Sequence, residues 1–154
     1  MNTEQMDKVC GNEGYRMISK CKLLGFRFEY NGHSKTWSGP AGDIVKSKSD
    51  FVWGVLYEID NKCKPSLDKS EGYQENRPRT QNTYEPTDVT RFINDCDRQY
   101  ENSDVFTYNH VSIQKKKELS CDYKKVVIGG ARQHQLPEDY ISRFLDVPCV
   151  EIKV

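Results

Sequence analysis

Apolar residues recur with a helical period at the two ends of the chain and with a period of two through much of its middle. Near the start, Asn2 is placed to cap a helix, with Gln5 three residues later completing a capping box. Met6, Val9 and Cys10 then fall on one helical face. Residues 20–30 (KCKLLGFRFEY) alternate, with Phe26 and Phe28 on one side and Arg27 and Glu29 on the other, which predicts a strand. The run FVWGVLYEI (51–59) is apolar on both faces, so a central, buried strand is expected there. Gly54 within it suggests a bend or a close backbone approach.

The stretch QENRPRTQNTYEPT (74–87) holds two prolines and reads as a mobile surface loop. DVTRFINDC (88–96) stays open between two readings. Val89, Phe92, Ile93 and Cys96 fit a helix, whereas VTRFI followed by Asn94-Asp95 fits a strand and turn. Val105–Val111 reads as a strand, Lys115–Lys117 as a solvated turn, and Val126–Ile128 as a short buried strand ending in Gly129-Gly130-Ala131. Pro137 should open a final helix with Glu138 and Asp139 in its first turn. Tyr140, Ile141, Phe144 and Leu145 would be its buried face, and Pro148 its stop. Roughly seven short strands with two or three short helices, not in strict alternation, indicate α+β.

Composition narrows the partners. At 154 residues the chain suits a single domain spanning 1–154. Lys plus Arg and Asp plus Glu are both 23. Without a basic surplus, nucleic acid is not an expected partner. Apolar runs are too short to span a membrane, and MNTEQMDKVC carries no signal-peptide core, so a cytoplasmic protein is expected. The cysteines at 10, 21, 63, 96, 121 and 149 form no C-x-x-C pair, and His33, His110 and His134 are scattered. Six reduced thiols, with no metal site and no cofactor, are the expectation.

The candidate chemistry sits in SLDKSEGY (66–73). Ser66 can cap a helical turn, Leu67 can anchor it and Glu71-Gly72 can end it. A glutamate there can project into a cleft, where desolvation raises its pKa toward the range useful for acid–base work. From composition alone a solvated turn carboxylate is the commoner outcome. Trp37 and Trp53 read as core. Asp43 and Glu58 could border a cleft, Asp43 equally as a turn residue, and the three histidines sit in polar contexts with no role assigned.

Several segments, in order, resemble the γ-glutamylcyclotransferase-like family, which includes the plant avirulence-induced proteins. Ser34–Ile44 (SKTWSGPAGDI) is similar to its Ser…Trp-x-Gly…Ala-x-Ile stretch, and Val52–Tyr57 (VWGVLY) to its V-W-G-V strand. Leu67-Asp68-x-x-Glu71-Gly72 resembles its L-D-x-x-E-G element. Ser120-Cys121-Asp122-Tyr123 with Gly130-Ala131 resembles its S-x-x-Y…G-A segment, and Leu136-Pro137-x-x-Tyr140 its final helix. The resemblance implies a mixed β-barrel with a few short flanking helices, and a β-hairpin over 87–111. It further implies cyclisation of a small γ-glutamyl substrate to 5-oxoproline with release of an amine or amino acid. Glu71 would be the general acid–base, with Tyr123 and Gly72 holding substrate. The alternative is a silent member that binds a small ligand or a protein. The family's opening strand and Y-G-S-N loop have no counterpart, since Met1 falls just after them. A start at an internal methionine is therefore expected, with an open sheet edge prone to homodimer pairing.

Overall fold

The alternating run between residues 15 and 59 folds as one long antiparallel hairpin in the computed structural model, which describes residues 2–100, 103–112 and 118–151. Its strands are β1 (Tyr15–Ser34) and β2 (Gly39–Ile59), paired from Tyr15↔Ile59 to Ser34↔Gly39. Register shifts follow Met17, Leu24 and Glu29, and each bends the ribbon. Gly25 sits at the second shift with φ +77°, a conformation that glycine adopts without strain. The short strand β3 (Tyr84–Asp88) pairs with the last strand, while β4 (Ile93–Asn94) adds to β1 through Leu23↔Ile93.

That addition makes β1 the central strand and leaves β2 at an edge, reversing the expectation for 51–59. Val52 is buried there, but Phe51 is exposed. The two apolar faces of this run have another cause. Val52 enters the core formed with Leu23, Phe26, Val89 and Val105, while Trp53 packs on a helical cluster. Phe28 touches both clusters and joins them.

The final strand, β5 (Phe106–His110), pairs with β3 from Tyr84↔His110 to Asp88↔Phe106. The implied hairpin over 87–111 is thus present, with a long connection. Within it Thr90–Phe92 forms a turn of 3₁₀ helix and Ile93–Asn94 a strand, so DVTRFINDC divides between its two readings. The loop expected at 74–87 is interrupted by a 3₁₀ turn at Arg79–Gln81 and ends where β3 begins. The Lys115–Lys117 run lies outside the described residues. The α+β class holds, but the five described strands form two separate antiparallel sheets and do not close into a barrel.

Helix α1 (Thr3–Cys10) carries the expected capping box between Asn2 and Gln5, with Met6 buried. Helix α2 spans Lys64–Ser70. The strand expected at Val126–Ile128 is instead the middle of helix α3 (Cys121–Gln133). Three adjacent apolar residues carry no period of their own. The caps decide: Ser120 precedes the helix with its side chain accepting from the Tyr123 amide, Asp122 lies in the first turn, and Arg132 lies in the last. Gly130 brings α3 close to Asn2. Helix α4 (Glu138–Tyr140) continues into a wider π turn, Ile141–Leu145. Ile141 and Leu145 are buried with Ala131, Leu136 and Tyr140, but Phe144 is exposed, contrary to expectation.

The expectation of six reduced thiols is overturned. All six cysteines pair, as Cys10–Cys63, Cys21–Cys96 and Cys121–Cys149. The partners lie 53, 75 and 28 residues apart, so spacing alone did not reveal them. In the chain-entropy picture, loops of these lengths give about 4 kcal/mol of stabilisation each.

Helix α3 supplies a test of this assignment. A Cβ added at Gly129 would meet nothing within 4 Å. Gly129→Ala should therefore raise the unfolding free energy by about 0.5–1 kcal/mol, the helix preference for alanine, measured by urea denaturation. No gain, or a loss, would contradict an open helical position for Gly129.

Candidate functional site

Helix α2 sets the position of Glu71. It begins at Cys63 with Pro65 in the first turn, so Ser66 lies inside the helix and does not cap it. Leu67 is buried and anchors the helix. The Glu71 amide donates to the Leu67 carbonyl at 3.0 Å, and the Tyr73 amide to Asp68 at 2.8 Å. Gly72 takes φ +68°, which turns the chain out of the helix. Beyond it, the amides of Thr83 and Tyr84 donate to the carbonyls of Gly72 and Glu71 at 3.1 and 3.3 Å. A Cβ on Gly72 would lie 2.7 Å from Thr83 Oγ1, so glycine fits both the angle and the space. The Arg77 guanidinium also donates to the Gly72 carbonyl. Glu71 is thereby fixed between the end of α2 and the start of β3.

Burial pushes the Glu71 carboxyl above the ordinary glutamate value. Three phenols share its field. Tyr84 on β3, Tyr108 on β5 and Tyr123 on α3 are all raised, by burial first, and the negative charge of Glu71 adds to each. All three therefore stay protonated at neutral pH and serve as hydrogen-bonding groups.

One residue, Gly42, holds two of these phenols. The Gly42 amide donates to the Tyr123 hydroxyl at 2.8 Å, and the Tyr84 hydroxyl donates to the Gly42 carbonyl at 2.9 Å. A side chain at Gly42 would strike the Phe28 ring, 2.8 Å from its Cβ, so only glycine allows this approach. Next to it Asp43 is buried in β2, not set in a turn, and accepts from the His110 amide at 3.0 Å. Burial raises the Asp43 carboxyl as well. The His110 ring lies edge-on to Tyr84, with centroids 4.9 Å apart, and its Nε2 accepts from the His33 amide at 3.0 Å. On the other flank, Asp68 Oδ1 accepts from both Tyr108 and Lys64 at 2.5 Å, and the Lys64 ammonium rests 5.0 Å from the Phe106 ring centre.

Of the residues singled out in the sequence, Glu71, Gly72 and Tyr123 meet in this cluster. Tyr123 opens a helix and not a strand. Trp37 packs 5.8 Å from the Tyr123 ring and so borders the site, whereas Trp53 belongs to the helical core. Glu58 is exposed and paired with Arg16 at 2.7 Å. The histidines are not surface residues throughout: His134 is buried, and its Nε2 lies 2.7 Å from the Tyr57 hydroxyl. Sequence reasoning missed Tyr84, Tyr108 and His110. The alternation of Phe106, Tyr108 and His110 within FTYNH placed these on one strand face, but nothing local pointed that face at Glu71. Tyr84 was hidden in a stretch that reads as loop.

With this geometry in place, known proteins can be compared. A model of the AIG2-like family matches residues 51–144. The chain is 28% identical over 141 residues to the γ-glutamylcyclotransferase of Bos taurus, covering 79% of this chain and 61% of that protein. The Homo sapiens γ-glutamylcyclotransferase is 24% identical over 138 residues, covering 77% and 60%. The chain thus spans about three fifths of these relatives. A solved γ-glutamyl cyclotransferase structure superimposes with a TM-score of 0.76 at 21% identity, covering 99% of this chain and 85% of that one. Each strand and helix around Glu71 accordingly belongs to a recurring fold.

The raised Glu71 has a thermodynamic consequence. The folded protein holds this proton more tightly than the unfolded chain, so stability should fall as pH rises from 4.5 through the raised value. Glu71→Gln keeps the shape and removes the titration. Urea midpoints below and above that window should show the wild type losing stability relative to the variant on the alkaline side. Equal pH dependence would contradict a desolvated Glu71.

Proposed function

The chain belongs to the AIG2-like family, and from that premise we propose that it is a γ-glutamylcyclotransferase-type enzyme acting on a small γ-glutamyl compound. The observation that carries this reading is the half-buried Glu71 at the end of α2, its carboxyl raised by desolvation and its charge felt by the phenols of Tyr84, Tyr108 and Tyr123.

In the reaction, the substrate's own α-amine attacks its γ-carbonyl carbon. A new carbon–nitrogen bond closes a five-membered lactam as the γ-amide bond to the leaving amine breaks. The products are 5-oxoproline and a free amine or amino acid. The nucleophile is intramolecular, so positioning supplies much of the acceleration. Glu71 takes the proton lost from the α-ammonium and returns one to the leaving nitrogen. A pKa raised above the ordinary carboxylate range suits both halves of that exchange. The Tyr123 hydroxyl already accepts from the Gly42 amide, which leaves its hydrogen to donate to a substrate oxygen. Gly72 holds the turn that aims Glu71, and any side chain there would displace Thr83.

Three disulfides suit a compartment where thiols are not kept reduced, and that location is proposed beside the cytoplasm expected from the sequence. No helix among the described residues is long and apolar enough to cross a membrane.

The test is 5-oxoproline release from a panel of γ-glutamyl amino acids and γ-glutamylamines. The wild type should release it, and Glu71→Gln should lower the rate by about 10²–10⁴-fold, the range for removing a general acid–base. Tyr123→Phe should chiefly raise KM. Release undiminished in Glu71→Gln would overturn the assigned role. No release from the wild type on any compound would overturn the cyclisation reading and favour a silent ligand-binding member.

A further inference from the structure

Two of the three disulfides stand at the roots of the two helices that carry the site. Cys63 immediately precedes α2, and its bridge to Cys10 ties that helix to the end of α1. From there a line of backbone hydrogen bonds runs to the carboxylate. The Leu67 amide donates to the Cys63 carbonyl at 2.9 Å, and the Glu71 amide to the Leu67 carbonyl at 3.0 Å. Movement at Cys63 is therefore passed along two helical turns to Glu71. The bridge is shielded, since Cys63 is 4% exposed.

The second bridge has the same relation to Tyr123. Cys121 is the first residue of α3, two positions before Tyr123, and its partner Cys149 lies in the segment that runs beside the helix start. There the Cys121 amide donates to the Val150 carbonyl at 3.0 Å, and the Val150 amide to the Leu119 carbonyl at 2.8 Å. Lys124 adds bonds to Asp146 and the Val147 carbonyl at 2.7 and 2.9 Å. The third bridge differs. Cys21–Cys96 joins β1 to the segment after β4, and neither Glu71 nor Tyr123 lies on those elements.

We propose that the Cys10–Cys63 and Cys121–Cys149 disulfides are positioning elements, which hold Glu71 on α2 and Tyr123 on α3 in fixed relation so that full activity belongs to the oxidised protein. The activity arm of this inference rests on the cyclotransferase reading; the positioning arm does not. A short helix of seven residues ending in a half-buried carboxylate has little of its own to hold it in place. Opening the bridge frees the first turn of α2 while Leu67 stays buried and Glu71 and Gly72 stay bonded to Tyr84 and Thr83, and a displacement of about 1 Å at Glu71 is enough to lower a proximity-driven rate roughly 100-fold.

Three double variants test it: Cys10→Ser with Cys63→Ser, Cys121→Ser with Cys149→Ser, and Cys21→Ser with Cys96→Ser as the control. Each is assayed at the same interval below its own Tm, which removes differences in global stability. The first pair should lower kcat roughly 10- to 100-fold with KM little changed, since it displaces the acid–base. The second should chiefly raise KM through Tyr123, and the control should lose stability only. Hydrogen exchange is followed in parallel. The Leu67 and Glu71 amides should exchange faster in the first variant and as in the wild type in the control. Where a variant does not fold, partial reduction of the folded wild type replaces it, with the opened bridge mapped by mass spectrometry and α2 exchange measured on that species. Equal losses from all three pairs, or unchanged exchange at Leu67 and Glu71 when Cys10–Cys63 is open, would overturn the proposal. A wild type that releases no 5-oxoproline would overturn the cyclotransferase reading, and the exchange at α2 would still decide the positioning role.

Discussion

Desolvation of one carboxylate is the constraint around which this molecule is arranged. Glu71 ends α2 and is bonded through its carbonyl to the start of β3, and burial raises its pKa. Holding such a group out of water is unfavourable, so the surrounding structure must fix it there. It does so with the backbone. The Glu71 amide closes α2 onto Leu67, and its carbonyl accepts from Tyr84, the first residue of β3. The left-handed turn at Gly72 makes both possible in consecutive residues.

The partners come from distant parts of the chain, and a single glycine gathers two of them. Gly42 offers its amide to Tyr123 on α3 and its carbonyl to Tyr84 on β3. The strand that supplies it is half of the long hairpin, and Phe28 from the other half fills the space where a side chain would be. Phe28 also links the two apolar clusters. Packing in the core and hydrogen bonding in the cleft therefore meet across one glycine. A change in hairpin register would move both together, since successive residues of a strand face opposite sides.

Much of this was legible from local chemistry. The capping box at Asn2 and Gln5, the strand around Phe26 and Phe28, and the short helix ending at Glu71-Gly72 all follow from signals a few residues long. The failures share a cause, because each turned on a partner remote in sequence. FVWGVLYEI is apolar on both faces, and only the pairing of β4 on β1 shows that it is an edge strand, its second apolar face covered by the helical cluster at Trp53. Val126–Ile128 has no period of its own, and the helix around it is set by its caps. The cysteines were expected to stay reduced, while their pairing joins elements up to 75 residues apart. Within the site, Glu71, Gly72 and Tyr123 were found through motif resemblance, and Tyr84, Tyr108 and His110 were not, since only the pairing of β3 with β5 brings those three together.

The central claim is that Glu71 is a half-buried, desolvated carboxyl group beside neutral phenols, poised to exchange a proton. Its side-chain carboxyl carbon can be followed directly by ¹³C NMR across a pH titration, with Glu71→Gln identifying the resonance. The account predicts a midpoint clearly above that of an ordinary glutamate, falling toward the ordinary value when Tyr84→Ala opens the cleft to water. A midpoint at the ordinary glutamate value in the folded wild type would mean a solvated turn residue, and would contradict the account.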